Sequence, residues 1–198
     1  MYDGLVSRYI NRRFSRPIAR ALQHTPATPN QVTVLSLAIA GIAFALFLLG
    51  YPVGAGLATQ LSSIIDGVDG DLARLKGNAS PFGSFFDAVA DRYADGLVVL
   101  GLTVWAANQT VGALPWIAGF AALGGSFAVT YTRAMVHAVH RTMFDNGLAS
   151  LATRDIRMLL VTVGAVTGLG IQTLLALALL TNIVVAVRVI TAWRMLRS

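Results

Sequence analysis

Six apolar runs separated by short polar breaks set out the chain. They cover about 31–49, 54–75, 82–107, 115–137, 155–167 and 172–192. Gly50 and Pro52 end the first, LKGNASP divides the second from the third, NQTVGALP the third from the fourth, and TGLGIQ the fifth from the sixth. The runs do not alternate between apolar and polar residues as half-buried strands do, so helices are predicted throughout. A helix crosses a bilayer with about 20 residues, and lipid admits only helices or closed barrels because every backbone polar group must be satisfied internally. By that length rule the fifth run is marginal.

Ahead of these runs, residues 1–24 follow a different pattern. Leu5, Val6, Tyr9, Ile10, Phe14, Ile18 and Leu22 recur near helical spacing, while Arg8, Arg12, Arg16 and Arg20 recur every four residues on another face. This predicts an amphipathic helix lying on a membrane surface; a solvated basic arm is the plainer alternative. Pro17 is placed to kink or restart it. TPATPN breaks the helix, and Asn30 after Pro29 is the expected N-cap of the next. The chain thus divides into an amphipathic juxtamembrane helix over 1–28 and a six-helix membrane domain over 29–198.

Composition agrees. Hydrophobic residues make up 56%, charged residues only 12%, and mean hydropathy is +0.67, whereas a soluble domain carries about 25% charged residues. The expected fold class is all-α integral membrane, with six transmembrane helices preceded by the juxtamembrane helix. The net charge is +6, from fourteen Arg and the single Lys76 against nine Asp and no Glu. In a membrane protein such an excess reports topology and anionic lipid rather than nucleic acid. The turns at 50–53, 108–114 and 167–172 contain no Lys or Arg. All fifteen basic residues lie in the N-terminal arm, around 74–92, around 133–157 or from Arg188 onward. That asymmetry places both termini, and the stretch 66–91, on the cytoplasmic side of the cell membrane. Five Arg and no long apolar core in residues 1–30 do not read as a signal peptide. Without Cys, disulfides and thiolate chemistry are excluded.

The candidate chemistry lies in 66–91, DGVDGDLARLKGNASPFGSFFDAVAD, which holds five of the nine aspartates. Asp66 and Asp69 are three apart, and Asp87 and Asp91 four apart. On helices these spacings put side chains on one face, so two helices joined by a short Gly/Pro loop can aim four carboxylates at one spot. Such a cluster repels itself unless cations sit in it. Oxygen ligands without Cys or His suit a hard cation, Mg²⁺ or Mn²⁺. Of the neighbouring residues, Asp71 is either solvated or paired with an Arg, and Asp95 either supports the site from behind or makes a helix-packing hydrogen bond. Arg92 is a candidate counter-ion. His137 and His140 read as interfacial rather than as metal ligands, and Gly164 with Gly168 is only a weak match to the small-residue packing pattern.

These residues resemble the CDP-alcohol phosphotransferase (CDP-alcohol phosphatidyltransferase) family. Its pattern is DxxDGxxAR, eight residues, then GxxxDxxxD, and Asp66, Asp69, Gly70, Ala73, Arg74, Gly83, Asp87 and Asp91 match it in identity and spacing. The resemblance implies a six-helix membrane domain, usually homodimeric, whose site opens to the cytoplasm. It implies an enzyme that transfers an alcohol-phosphate group from a CDP-alcohol to an acceptor hydroxyl and releases CMP. Asp66, Asp69, Asp87 and Asp91 are then expected to be metal ligands, for two ions in the family's manner, with Asp91 also the general base. Asp69, Gly70, Ala73, Arg74 and Gly83 are at the nucleotide, the small residues where it approaches the backbone closely. Two metals would polarise the β-phosphate and steady the departing CMP.

Arg133, Arg154 and Arg157 stand at the cytoplasmic ends of their spans and together suit a phosphorylated acceptor; positive-inside anchoring is the alternative for each. Within the family, LVSRYINRRFSRPIARAL…TPNQVT, DRYADG and LATRDIRMLL look like the membrane domain of di-myo-inositol-phosphate phosphate synthases. Those enzymes join CDP-inositol to inositol 1-phosphate. The runner-up is a phospholipid synthase that uses CDP-diacylglycerol with inositol phosphate or glycerol phosphate. A divalent-cation transporter is the competing class, disfavoured because the outer halves of the spans carry no polar lining.

Overall fold

The computed structural model describes residues 7–137, 143–144 and 147–196. Its regular elements are all helical: a π-helical turn Ser7–Asn11 runs into α1 (Arg12–Leu22), followed by α2 (Pro29–Leu48), α3 (Pro52–Leu75), α4 (Pro81–Ala107), α5 (Leu114–His137), a 3₁₀ turn Gly147–Ser150, α6 (Arg154–Thr167) and α7 (Gly170–Leu196). Helices α2 to α7 follow the six apolar runs to within a few residues at each end.

Local chemistry explains these boundaries. Pro29, Pro52 and Pro81 begin α2, α3 and α4, where the N–H that proline lacks has no helical partner to lose. The N-cap of α2 is Thr28, not Asn30. Gln31 N–H donates to Thr28 Oγ1 at 3.3 Å, and Thr28 N–H donates to Gln31 Oε1 at 2.9 Å. This reciprocal pair satisfies two orphan donors, and proline's preference for the first helical position starts the helix ahead of Asn30. Ser80 caps α4 through a 3.0 Å bond from Gly83 N–H. Gly168 closes α6 at φ +76°, a left-handed conformation that glycine adopts without strain. Pro17 lies inside α1 without ending it.

One apolar core joins α2 to α7. Phe47, Val98, Leu102, Trp105, Met158, Val161, Leu174 and Leu177 are buried in it, together with several alanines. Small residues set the closest approaches. A Cβ on Gly164 would overlap the Thr173 hydroxyl, and one on Gly125 the Thr181 hydroxyl, as expected where helices associate by packing rather than by hydrophobic exclusion. By length and composition, Pro29–Leu48, Leu114–Val136 and Gly170–Leu196 are long and apolar enough to cross a membrane. α3 and α4 are longer than α2, at 24 and 27 residues, but carry the aspartates in the halves flanking their shared loop. α6 has 14 residues, roughly 21 Å of helix against about 30 Å of hydrocarbon, so the marginal run is a short helix.

The N-terminal helix docks on α3 by a small, polar face in its first turns and by apolar residues in its last. Ser15 and Ala19 are buried, Asn11 Nδ2 donates to Ser63 Oγ at 3.0 Å, and Gln60 Nε2 donates to Asn11 Oδ1 at 2.9 Å. Tyr9 and Phe14 are 70% and 52% exposed and point away from the bundle, while Ile18 and Leu22 pack beside Val68 and Leu72. Arg12 leaves the expected basic row and turns inward to Asp71, whereas Arg16 and Arg20 stay exposed. Leu5, Val6 and His140, and the side chains of Arg8, Ile10 and His137, lie outside the described residues.

Candidate active site

The loop between α3 and α4 is short because Gly77 takes φ +63°, so the last turns of α3 face the first turns of α4. Asp66, Asp69 and Asp87 each bring a carboxylate oxygen within 4.8 Å of the other two. Thr33 on α2 donates a 2.5 Å hydrogen bond to Asp69 Oδ2, which orients that carboxylate. Three oxygens from three carboxylates, with no sulfur or imidazole, fit a divalent hard cation. Asp91 stands outside the trio, 3.1 Å from Arg154 Nη1 and 3.5 Å from Arg92 Nη2. Its Oδ1 is buried without a hydrogen bond of good geometry, and so keeps lone pairs for a ligand or a proton.

Two cavities of about 270 Å³ each flank the carboxylates. The first lies between the N-terminal helix, α3, α5, α6 and α7; Asn11, Asp66, Asp91, Arg133, Arg154, Arg157 and Arg188 line it. The second lies between α2 and the α3–α4 turn; Asn30, Thr33, Ala73, Asn78, Ser80 and Gly83 line it. Asp69, Gly70, Arg74 and Asp87 belong to both walls. Asp69 and Asp87 thus sit where the two cavities meet, with a basic chamber on one side and a chamber of small and uncharged polar residues on the other.

The cations around the carboxylates are specifically engaged. Arg154 reaches Asp66 Oδ2 at 2.6 Å, Asp91 Oδ1 at 3.1 Å and Asp95 Oδ1 at 3.0 Å. Arg157 Nη2 donates to Asp95 Oδ2 at 2.6 Å and Arg157 Nη1 to the Ala152 carbonyl at 3.0 Å. Asp95 is fully buried, so it supports the site from behind. Asp71 is also not solvated: Arg12 and Arg74 each reach its Oδ1 at 2.7 Å and Ser15 donates to Oδ2 at 3.1 Å. Arg74 is therefore oriented by Asp71 while its half-exposed guanidinium borders both cavities.

One basic residue of the site escaped the sequence reading. Arg188 on α7 is 1% exposed. It donates to the Ala149 carbonyl at 2.9 Å through Nε and at 2.8 Å through Nη2, to the Val129 carbonyl through Nη1, and lies 5.0 Å over the Phe144 ring. Its signal is in the sequence, since an Arg inside a long apolar span is expensive and usually functional, but its place near the C-terminal end also fits positive-inside topology.

The sequence profile of the CDP-alcohol phosphatidyltransferase family matches residues 26–194. The chain belongs to this family. That family is one of transferases, so the cation-transporter reading loses its ground. Among curated family members it is 41% identical over 180 residues to the bifunctional IPC transferase and DIPP synthase of Rubrobacter xylanophilus, covering 91% of this chain and 40% of that protein. It is 33% identical over 173 residues to the phosphatidylinositol phosphate synthase of Mycobacteroides abscessus, covering 86% and 77%. The chain thus spans less than half the length of the first of these relatives. Its fold is that of Mycobacterium tuberculosis phosphatidylinositol phosphate synthase, whose crystal structures contain CDP-DAG (TM-score 0.78, 29% identity, 91% of this chain and 94% of that one) or manganese with citrate (TM-score 0.76, 28% identity, 90% and 88%). A relative that holds manganese and the carboxylate trio of this chain together fit divalent-metal use.

Proposed function

We propose that this transferase moves inositol phosphate from CDP-inositol to inositol 1-phosphate and releases CMP. The observation that carries this reading is the position of Asp69 and Asp87 on the wall common to the two cavities. A cytidine nucleotide fits the chamber where Gly70, Ala73 and Gly83 leave the backbone open, with Asp69 and Arg74 at its phosphates. An acceptor that already carries a phosphate fits the chamber lined by Arg133, Arg154 and Arg157. The donor's pyrophosphate then lies at the carboxylates, between its nucleotide and the acceptor.

The acceptor oxygen attacks the phosphorus that bears the donor alcohol, the bridging P–O bond breaks, and CMP leaves with the bonding electrons. Asp91 takes the acceptor's proton; its buried Oδ1 has lone pairs for that task. Divalent cations, Mg²⁺ or Mn²⁺, held by Asp66, Asp69 and Asp87 and in a second position with Asp91, would neutralise the pyrophosphate and the leaving group. The side chains otherwise orient and hold substrates, which is how this chemistry is mainly accelerated. All six helices α2 to α7 cross the membrane in this reading, preceded by the juxtamembrane helix of 1–28. Both termini and the site are cytoplasmic, and two copies form a homodimer.

A second reading has specific support. The structure with CDP-DAG matches 94% of its chain, which favours a phospholipid synthase that uses CDP-diacylglycerol with inositol phosphate or glycerol phosphate. CMP release by the purified protein separates the two, tested with CDP-inositol, CDP-diacylglycerol and CDP-glycerol, each with inositol phosphate or glycerol phosphate. Turnover with CDP-inositol and inositol 1-phosphate alone is the expected result. Turnover only with CDP-diacylglycerol would overturn it in favour of the lipid synthase.

A further inference from the structure

Arg154 pairs with three carboxylates, more than any other cation among the described residues. Its Nη1 lies 2.6 Å from Asp66 Oδ2 and 3.1 Å from Asp91 Oδ1, while Nε donates to Asp95 Oδ1 at 3.0 Å. The side chain is only 14% exposed, so water does little to screen these contacts. Nη1 alone bridges two carboxylates while the separate Nε holds a third, and an ammonium has only one nitrogen for both places. Nη1 thus stands against Asp91, which lies outside the trio, and against Asp66, which a second cation would share with the first.

Charge points the same way. Asp66, Asp69, Asp87, Asp91 and Asp95 form one group, and Arg92, Arg154 and Arg157 are the cations paired within it. Among these paired groups, five carboxylates against three guanidinium groups leave two negative charges, which one divalent cation offsets. A second would reverse the sign of this paired group, and Arg133 and Arg188 on the same chamber add to that cost, unless an anion came with it.

We propose that Arg154 is a built-in competitor for the second divalent cation. The protein by itself holds one such ion, on Asp66, Asp69 and Asp87, and a second enters strongly only when Nη1 gives up Asp66 and Asp91. The bond from Nε to Asp95 serves as the anchor about which the guanidinium turns. An anionic pyrophosphate restores the charge balance, so the second ion and the donor enter together. This rests on the metal reading given above and adds to it the number and order of ions.

Equilibrium binding of Mn²⁺ to the purified full chain in detergent, without nucleotide, tests the proposal through the signal of free Mn²⁺. Wild type is expected to bind one ion per chain tightly. Arg154→Gln is expected to bind a second at least tenfold more tightly than wild type does. Arg154→Lys keeps a charge but has a single nitrogen in place of Nη1 and Nε, so it loses the Asp95 anchor and its second ion should tighten at least threefold; this variant decides the matter where Arg154→Gln fails to fold. A second-ion affinity within twofold of wild type in the folded variants would overturn the proposal, as would two equally tight ions on wild type. If wild type bound no Mn²⁺, the metal reading itself would fall, and the inference with it.

Discussion

Arg157 and Asp95 form a buried pair: Nη2 lies 2.6 Å from Oδ2, with the side chains 2% and 0% exposed. The bond ties α6 to α4 behind the carboxylates, and it places Arg157 in the cavity wall rather than at its mouth. Losing one member of such a pair leaves an uncompensated buried charge, which costs about 3–5 kcal/mol. Arg157→Ala and Asp95→Ala should each lower the thermal midpoint in detergent sharply. The double variant Asp95→Leu/Arg157→Met, which leaves no charge alone, should recover more than half of the loss. Single variants that melt like wild type would mean the pair is solvated.

The metal ligands predict a coupled loss. Asp66→Asn, Asp69→Asn and Asp87→Asn should each abolish CMP release and weaken Mn²⁺ binding, because each removes charge from the group that holds the cation. Thr33→Val should weaken Mn²⁺ about 10- to 100-fold, since it frees Asp69 from the bond that orients it. Two aspartate variants with near-full turnover at low Mg²⁺ would contradict the ligand assignment.

Asp91 should separate from the trio in kinetics. Asp91→Asn cannot accept the acceptor's proton, so turnover should vanish while CDP-alcohol affinity falls only as far as the weakened second cation lowers it. A drop in affinity as large as the drop in turnover would make Asp91 chiefly a ligand.

Arg133 is the clearest probe of the acceptor. It lines the basic chamber with Arg154 and Arg157. Removing a charge-assisted contact to a phosphate costs about 1.5–3 kcal/mol, or roughly ten- to more than a hundred-fold. Arg133→Ala should therefore raise the acceptor KM by that factor and leave the donor KM unchanged. If Arg133 only anchors the helix at the membrane edge, the variant will express poorly but show a normal acceptor KM per folded molecule.

The residues legible in the sequence are those whose relationships are local. Asp66 with Asp69, and Asp87 with Asp91, share helix faces because three- and four-residue spacings close one turn, and a span reads as apolar wherever it folds. The motif, the helix count and the convergence of the aspartates across a short loop needed only these facts and the family's pattern. The cap at Thr28 was missed by two residues, although its signal, Thr followed three residues later by Gln, is also local.

Only the tertiary structure decided which charges meet. Arg154 and Asp95 are 59 residues apart, Arg157 and Asp95 62, Arg12 and Asp71 59, and Arg188 reaches the Val129 carbonyl across 59. Nothing in spacing or composition selects those partners, because an arginine at a helix end satisfies positive-inside topology whether it faces lipid headgroups or a carboxylate. The choice is made when α6 packs on α3 and α4, and α7 on α5. That packing desolvates the charges together, and a buried charge persists only where an opposite one or a backbone dipole is already in reach.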